Sequence, residues 1–254
     1  MTKADYTLYT FAMSHYSEKI RWSLDHMKLP YREVCMTPVF HIVPALRMGG
    51  RKQTTVPILV TPEASIQDSA RILDWLETHH GPLDLIPAAL RDEVMAVEAR
   101  FNKIGRDVAR FLYAAGFGEG DDYIVKLWTD HASAGQAFVI RHSFPLIKWS
   151  LKRQLKINEA GVARARKRIG DEIEWLEARL NSGHRFLAGD QFTAADITAA
   201  SLLAPLACPD QHPVYRAPEY KSIMREAIEP WRDSAALDWV RKLYSQDRGE
   251  IKFQ

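Results

Sequence analysis

Three short stretches of this 254-residue chain combine residue types that could hold a ligand or do chemistry, and a fourth could fix a helix start. The first is Ser14-His15-Tyr16-Ser17-Glu18-Lys19, which follows a β-rich run and opens an amphipathic one. A hydroxyl at a strand-to-helix turn lies beside free helix N–H groups, where negative charge is stabilised. Ser14 could attack as a nucleophile, although no general base is fixed nearby in sequence, or it could donate to a bound thiolate. Ser14 and Ser17 could equally be turn and N-cap residues only. The second stretch is Thr55-Val56-Pro57-Ile58-Leu59. Proline cannot donate to a central ladder, so Pro57 marks a strand start. A cis Val56–Pro57 bond would turn the preceding backbone outward to pair with an extended peptide; an ordinary trans proline at an edge is the simpler alternative.

The third stretch is Gln67-Asp68-Ser69-Ala70-Arg71-Ile72. Ser69 reads as an N-cap whose following N–H groups form an anion site, and Asp68 beside it can accept from an ammonium group. Together they suit the two charged ends of an amino acid; a plain capped helix is the alternative. The fourth, Thr193-Ala194-Ala195-Asp196, has capping-box spacing, with Phe192 and Ile197 placed to staple the same helix start. It is a folding device and binds nothing.

The elements that must position these residues follow from periodicity. Tyr6–Phe11 and Tyr31–Cys35 read as strands around a helix that starts near Ser17 and buries Ile20, Leu24 and Met27. Residues 57–60 and 64–66 flank Thr61-Pro62-Glu63 as a hairpin, and a helix from Ser69 buries Ile72, Leu73 and Leu76. A βαβ unit beside a hairpin predicts one mixed sheet covered by helices. After Gly81-Pro82, a linker over 83–89 leads into a pattern that is helical almost to the end, clearest from Val162 through Ile169, Ile173, Leu176 and Leu180 to a stop at Gly183. Residues 1–82 and 90–254 are therefore expected as two domains, α+β and then all-helical.

Composition narrows the classes. With 34 basic against 32 acidic residues and 46% apolar types, the chain is globular rather than disordered. Cys35 and Cys208 are too few for a disulfide framework or a cysteine metal site, and no His-Glu-x-x-His, P-loop or dinucleotide glycine pattern occurs. No metal is expected. Neither a membrane span nor a signal-like start is visible, so the reading is a soluble, cytoplasmic protein without membrane insertion. The eight basic residues between Lys148 and Arg168 could attract an anionic surface, but they read more simply as a solvated helix face, and no nucleic-acid module accompanies them.

The order of these motifs resembles the cytosolic glutathione transferase family, most clearly over residues 5–80 and 160–205. The resemblance implies a thioredoxin-like domain that binds glutathione as co-substrate, then a helical domain supplying most of a pocket for a small hydrophobic electrophile, in a homodimer. It aligns Ser14 with the group facing the glutathione sulfur in serine- and cysteine-type members. The tyrosine of other members would fall at Thr10. Val56, before an expected cis Pro57, would pair with the cysteinyl part, while Asp68 and Ser69 would hold the γ-glutamyl end.

The chain also departs from the pattern. His15-Tyr16 stand where members often have proline, which makes Tyr16 the alternative group at the sulfur. Lys52 and Gln53 lie too far before the Val-Pro pair for the usual glycyl-carboxylate contact, and the helical domain is lengthened over about 115–158. Two enzyme classes and one binding role meet at this turn. Thiol–disulfide exchange through a protein thiol is excluded, because Ser14 and Ser17 occupy both Cys-x-x-Cys places. Transfer of a glutathione thiolate and non-catalytic glutathione-transferase-like binding or interaction both remain.

Overall fold

A computed structural model describes residues 5–49, 53–81, 84–249 and 251. Residues Lys52, Pro82 and Leu83, which figure in the sequence reading, lie outside the described set. Four strands, β1 (Tyr6–Thr10), β2 (Tyr31–Cys35), β3 (Ile58–Val60) and β4 (Ser65–Gln67), form one sheet in the order β2-β1-β3-β4. β1 and β2 run parallel, and both remaining pairs are antiparallel. The parallel pair is joined by α1 (His15–His26), and α3 (Ser69–His80) follows β4. This is the thioredoxin-like arrangement expected. Between β2 and β3, where the sequence reading places no element, lies a further short helix, α2 (Ile42–Met48), which Pro44 in its first turn does not prevent.

Helix α1 begins at His15, two residues before the expected start near Ser17, because Ser14 and not Ser17 caps it. The hairpin turn is fixed by Thr61, whose Oγ1 accepts the N–H groups of Glu63 and Ala64 while its own N–H donates to the Ala64 carbonyl at 2.8 Å.

Among the described residues seven α-helices follow: α4 (Arg91–Gly116), α5 (Asp121–Thr129), α6 (Ala134–Gln154), α7 (Glu159–Asn181), α8 (Ala194–Ala207), α9 (Pro218–Ile228) and α10 (Ala235–Leu243). All 14 residues of α8 are buried, so it is the spine against which α1, α4 and α10 pack. Its start is the expected capping box: Thr193 Oγ1 accepts the Ala195 N–H, and Asp196 accepts the N–H groups of Thr193 at 2.8 Å and Leu187 at 2.9 Å. Burial still pushes the Asp196 carboxyl up, to about 6. Phe192, the staple residue, packs on Trp22 of α1 and so ties this helix start to the first domain.

Helices α5 and α6 fill the lengthened stretch. They build a second, smaller core of Ile124, Trp128, Ile140 and Phe144 against Tyr113 and Phe117 of the α4 end, with Met13 and Phe40 packed on it from the sheet side. Among the described residues no helix is long and apolar enough to cross a membrane, and no group of three His, Cys, Asp or Glu could hold a metal ion.

Candidate active site

Strand register collects the candidate residues. Tyr9 pairs with Ile58, and Ile58 pairs with Gln67, so the end of β1, the start of β3 and the end of β4 lie side by side. The residues one step beyond each strand therefore share one sheet edge. These are the Phe11–Ser14 turn, the Val56–Pro57 bond, which is cis, and Asp68, whose N–H donates to the Pro57 carbonyl at 3.3 Å. Gln67 is buried and its Nε2 donates to the carbonyls of Gln53 at 3.1 Å and Thr55 at 2.7 Å, which fixes the approach to Val56 from behind. The backbone N–H and C=O of Val56 have no hydrogen-bond partner among the described residues. Such a segment can take a ligand strand.

Ser14 is the N-cap of α1. Its Oγ accepts the Ser17 N–H at 3.2 Å, which leaves the hydroxyl hydrogen to donate. Around it the turn is pinned from the helical domain at three points. Tyr215 donates to the Met13 carbonyl at 2.9 Å, His15 Nε2 to the Gly105 carbonyl at 3.0 Å and Tyr16 to the Asn102 carbonyl at 2.8 Å. Because its acceptor is a carbonyl, His15 carries its proton on Nε2, and complete burial holds the ring neutral down to about 4. Burial also pushes the Tyr16 phenol up, with the Asp68, Glu98 and Asp107 carboxylates adding to the effect. Tyr16 thus stays protonated, and its one hydrogen goes to Asn102. Gly105 is required here, since a Cβ would run into the Tyr16 hydroxyl and the Leu202 side chain. Thr10 is fully buried, and its Oγ1 donates to Glu33 at 2.6 Å.

The start of α3 is built differently. Ser69 is the first helical residue and Asp68 is the cap, which corrects the expectation that Ser69 caps this helix. Asp68 takes φ 91°, a region that costs a side-chain-bearing residue on the order of 1–3 kcal/mol. Its Oδ1 accepts the N–H groups of Ala70 at 3.0 Å and Arg71 at 3.4 Å, and Oδ2 has no partner among the described residues. The buried Ser69 Oγ lies 3.5 Å from Lys19 Nζ, which forms a buried ion pair with Glu98 of α4. Burial pulls the Lys19 ammonium down, and the Glu98 carboxylate acts against that pull.

Sequence reasoning missed Lys19, Glu98, Tyr215 and His41. Neither Lys19 nor Tyr215 carries a local signal: Lys19 lies off the Ile20, Leu24 and Met27 stripe of α1, and Tyr215 lies 202 residues from its acceptor. His41 packs edge-on against Phe11 with ring centroids 4.8 Å apart. Its ring makes a hydrogen bond to the Thr54 backbone, and its Nδ1 is buried without a partner.

Residues 8–83 match the family model of the glutathione S-transferase N-terminal domain, and residues 159–235 match that of the C-terminal domain. None of the curated proteins compared matches the sequence. Among solved structures, the chain is similar to a glutathione S-transferase from Rhodospirillum rubrum, at 24% identity over 95% of this chain and 89% of that one, with a TM-score of 0.60. It is also similar to one from Methylobacterium radiotolerans in complex with glutathione sulfonate, at 19% identity over 97% and 96%, TM-score 0.63. A third, from Methylobacillus flagellatus with glutathione bound, shares 15% identity over 97% and 100%, TM-score 0.56. At these identities the likeness is one of fold.

Proposed function

This chain belongs to the glutathione S-transferase family, and on that premise we propose that it binds glutathione at the β1–β3–β4 edge and conjugates it, through its thiolate sulfur, to a small apolar electrophile. The observation that carries the reading is the meeting on one edge of three complementary groups. These are a hydroxyl with a hydrogen to give at Ser14, an unpartnered backbone at the cis Val56–Pro57 bond, and a carboxylate-capped helix start at Asp68 and Ser69. Two of the similar structures hold glutathione or its sulfonate, which supports the same ligand here.

In this reading Val56 pairs with the cysteinyl backbone of the ligand. Asp68 Oδ2 accepts from the γ-glutamyl ammonium, and Ser69, whose backbone N–H has no partner among the described residues, holds the adjacent carboxylate at the start of α3. A free thiol titrates near about 8.5. Donation from Ser14 and the N-terminus of α1 favours the thiolate, and lowering the thiol by about two units corresponds to roughly 2.7 kcal/mol. The thiol proton leaves to solvent. The sulfur then forms a bond to the electrophilic carbon, and the leaving group departs with its electron pair. Ser14 acts as a hydrogen-bond donor and not as a nucleophile, while Tyr16, already donating to Asn102, seats the turn. Met13, Phe40, Tyr113 and Phe117 form the apolar side on which the electrophile rests. A homodimer in the cytoplasm belongs to the same proposal, as do the domain limits 1–82 and 90–254.

Titration of the thiolate absorbance of glutathione in the presence of the protein tests this directly. A bound thiol titrating well below the free one is expected. Tight binding with an unshifted thiol would instead favour the second reading, a glutathione-binding protein without transfer, which Ser14's service as a helix cap makes physically reasonable. Absence of binding would remove both.

A further inference from the structure

Every exposed large apolar side chain among the described residues lies on one of two segments. Val39, Ile42, Val43 and Leu46 belong to α2 and the residues just before it. Phe138, Val139, Leu146 and Trp149 belong to α6. Four of the eight are more than half exposed: Leu146 at 67%, Phe138 at 61%, Trp149 at 56% and Val43 at 54%. The two segments are neighbours. Thr37 donates to Gln136 at the start of α6 at 3.3 Å, and Phe40 packs on the cluster that contains Ile140 and Phe144 of the same helix. Along α6 the residues 138, 142, 146 and 149 follow spacings of four, four and three, so they form a stripe opposite buried Ala137, Ile140 and Phe144. This second apolar stripe has no covering element.

Charge says what suits it. Residues 34–62 and 131–158 contain no aspartate or glutamate, whereas α6 alone carries Arg141, Lys148, Lys152 and Arg153. Arg153 lies 5.0 Å from the ring of Trp149, placing a cation beside an exposed aromatic at the C-terminal end of the stripe. Lys148 is paired with Asp121 of α5 at 2.5 Å, so packing this face on a second copy of itself would set the remaining Arg141, Lys152 and Arg153 against the same cations. We propose that α2 and α6 form one docking face for an anionic lipid surface, with the apolar side chains resting in the interface and the flanking cations meeting headgroup phosphates. The contact is peripheral, since no described helix can cross a bilayer. It stands independently of the glutathione reading, and it would set the aromatic wall of α5 and α6 next to a reservoir of apolar compounds.

Co-sedimentation with vesicles tests it, comparing pure phosphatidylcholine with phosphatidylcholine mixed with phosphatidylglycerol. Binding to the anionic vesicles only is expected, weakened at least about tenfold in a Leu146→Glu/Trp149→Glu variant and reduced by salt. A Val43→Glu variant, changed on the other segment, should weaken it as well. Failure of the wild-type protein to bind anionic vesicles overturns the proposal, as does binding that the variants leave unchanged. Conversion of a wild-type dimer to a monomer by Leu146→Glu/Trp149→Glu, without vesicle binding, would assign the face to a second copy and overturn it too. The circular dichroism and melting of each variant establish that these surface changes leave the fold intact.

Discussion

Two helix starts face the same sheet edge, and they are made in opposite senses. At α1 the cap is a serine whose oxygen is used by Ser17 and whose hydrogen is left over; at α3 it is an aspartate with one oxygen used and the other left over. One start therefore offers a donor and the other an acceptor. That polarity suits a ligand with a sulfur anion at one point and an ammonium group at another. Their supports differ as well. Three neutral hydrogen bonds from the helical domain hold the first turn, whereas the second leans on one buried ion pair, Lys19–Glu98. A neutral support is lost gradually, but a buried charge left alone is costly.

The largest effect should come from breaking that pair. Lys19→Met strands Glu98 and is expected to lower unfolding stability by about 3–5 kcal/mol in a denaturant titration, with most of it restored by adding Glu98→Leu. Equal stability of the single variant would mean that the α3 start is held some other way. Next, Ser14→Ala should leave glutathione affinity within a few-fold while reducing turnover by about 100-fold or more. Unchanged turnover would return the sulfur to Tyr16.

His15 gives a pH signature to the neutral side of the comparison. Its unfolded imidazole takes a proton near 6.5 and the folded one only near 4, so the unfolded state gains the proton first. Stability is therefore lost as pH falls between those values, by up to about 3 kcal/mol from this residue. A His15→Gln variant should show a stability curve flatter over that window, and parallel curves for the two proteins would contradict the assignment. Smallest is Asp68→Asn, which keeps the cap but removes the charge. Roughly thirtyfold weaker glutathione binding is expected, about 2 kcal/mol, with little change in melting temperature.

What could be read from the residues was whatever is local. The Thr61 turn, the Thr193–Asp196 box and the stripe of α7 each place their signal within a few positions, and the order of Ser14, Val56-Pro57 and Asp68-Ser69 followed from strand and helix alternation. The cap at α3 was misplaced by one residue because aspartate and serine are equally good caps, and only the positive φ of Asp68 separates them. Helix α2 was hidden by Pro44. The three hydrogen bonds that pin the Ser14 turn left no trace, since a tyrosine and two carbonyls look the same wherever they stand in a chain.

The C-terminal end of the chain is tied to the first helix. Arg248, in the helical turn Tyr244–Arg248, reaches the buried Glu18 at 2.8 Å, 230 positions away, and the exposed Asp25 at 2.8 Å. During synthesis the sheet and α1 leave the ribosome long before residue 248 exists. The helix that Ser14 caps is therefore completed only after residue 248 has been made, so a segment synthesised early becomes native late. A partly made chain, though it holds the entire sheet edge, would be poorly prepared to grip its ligand.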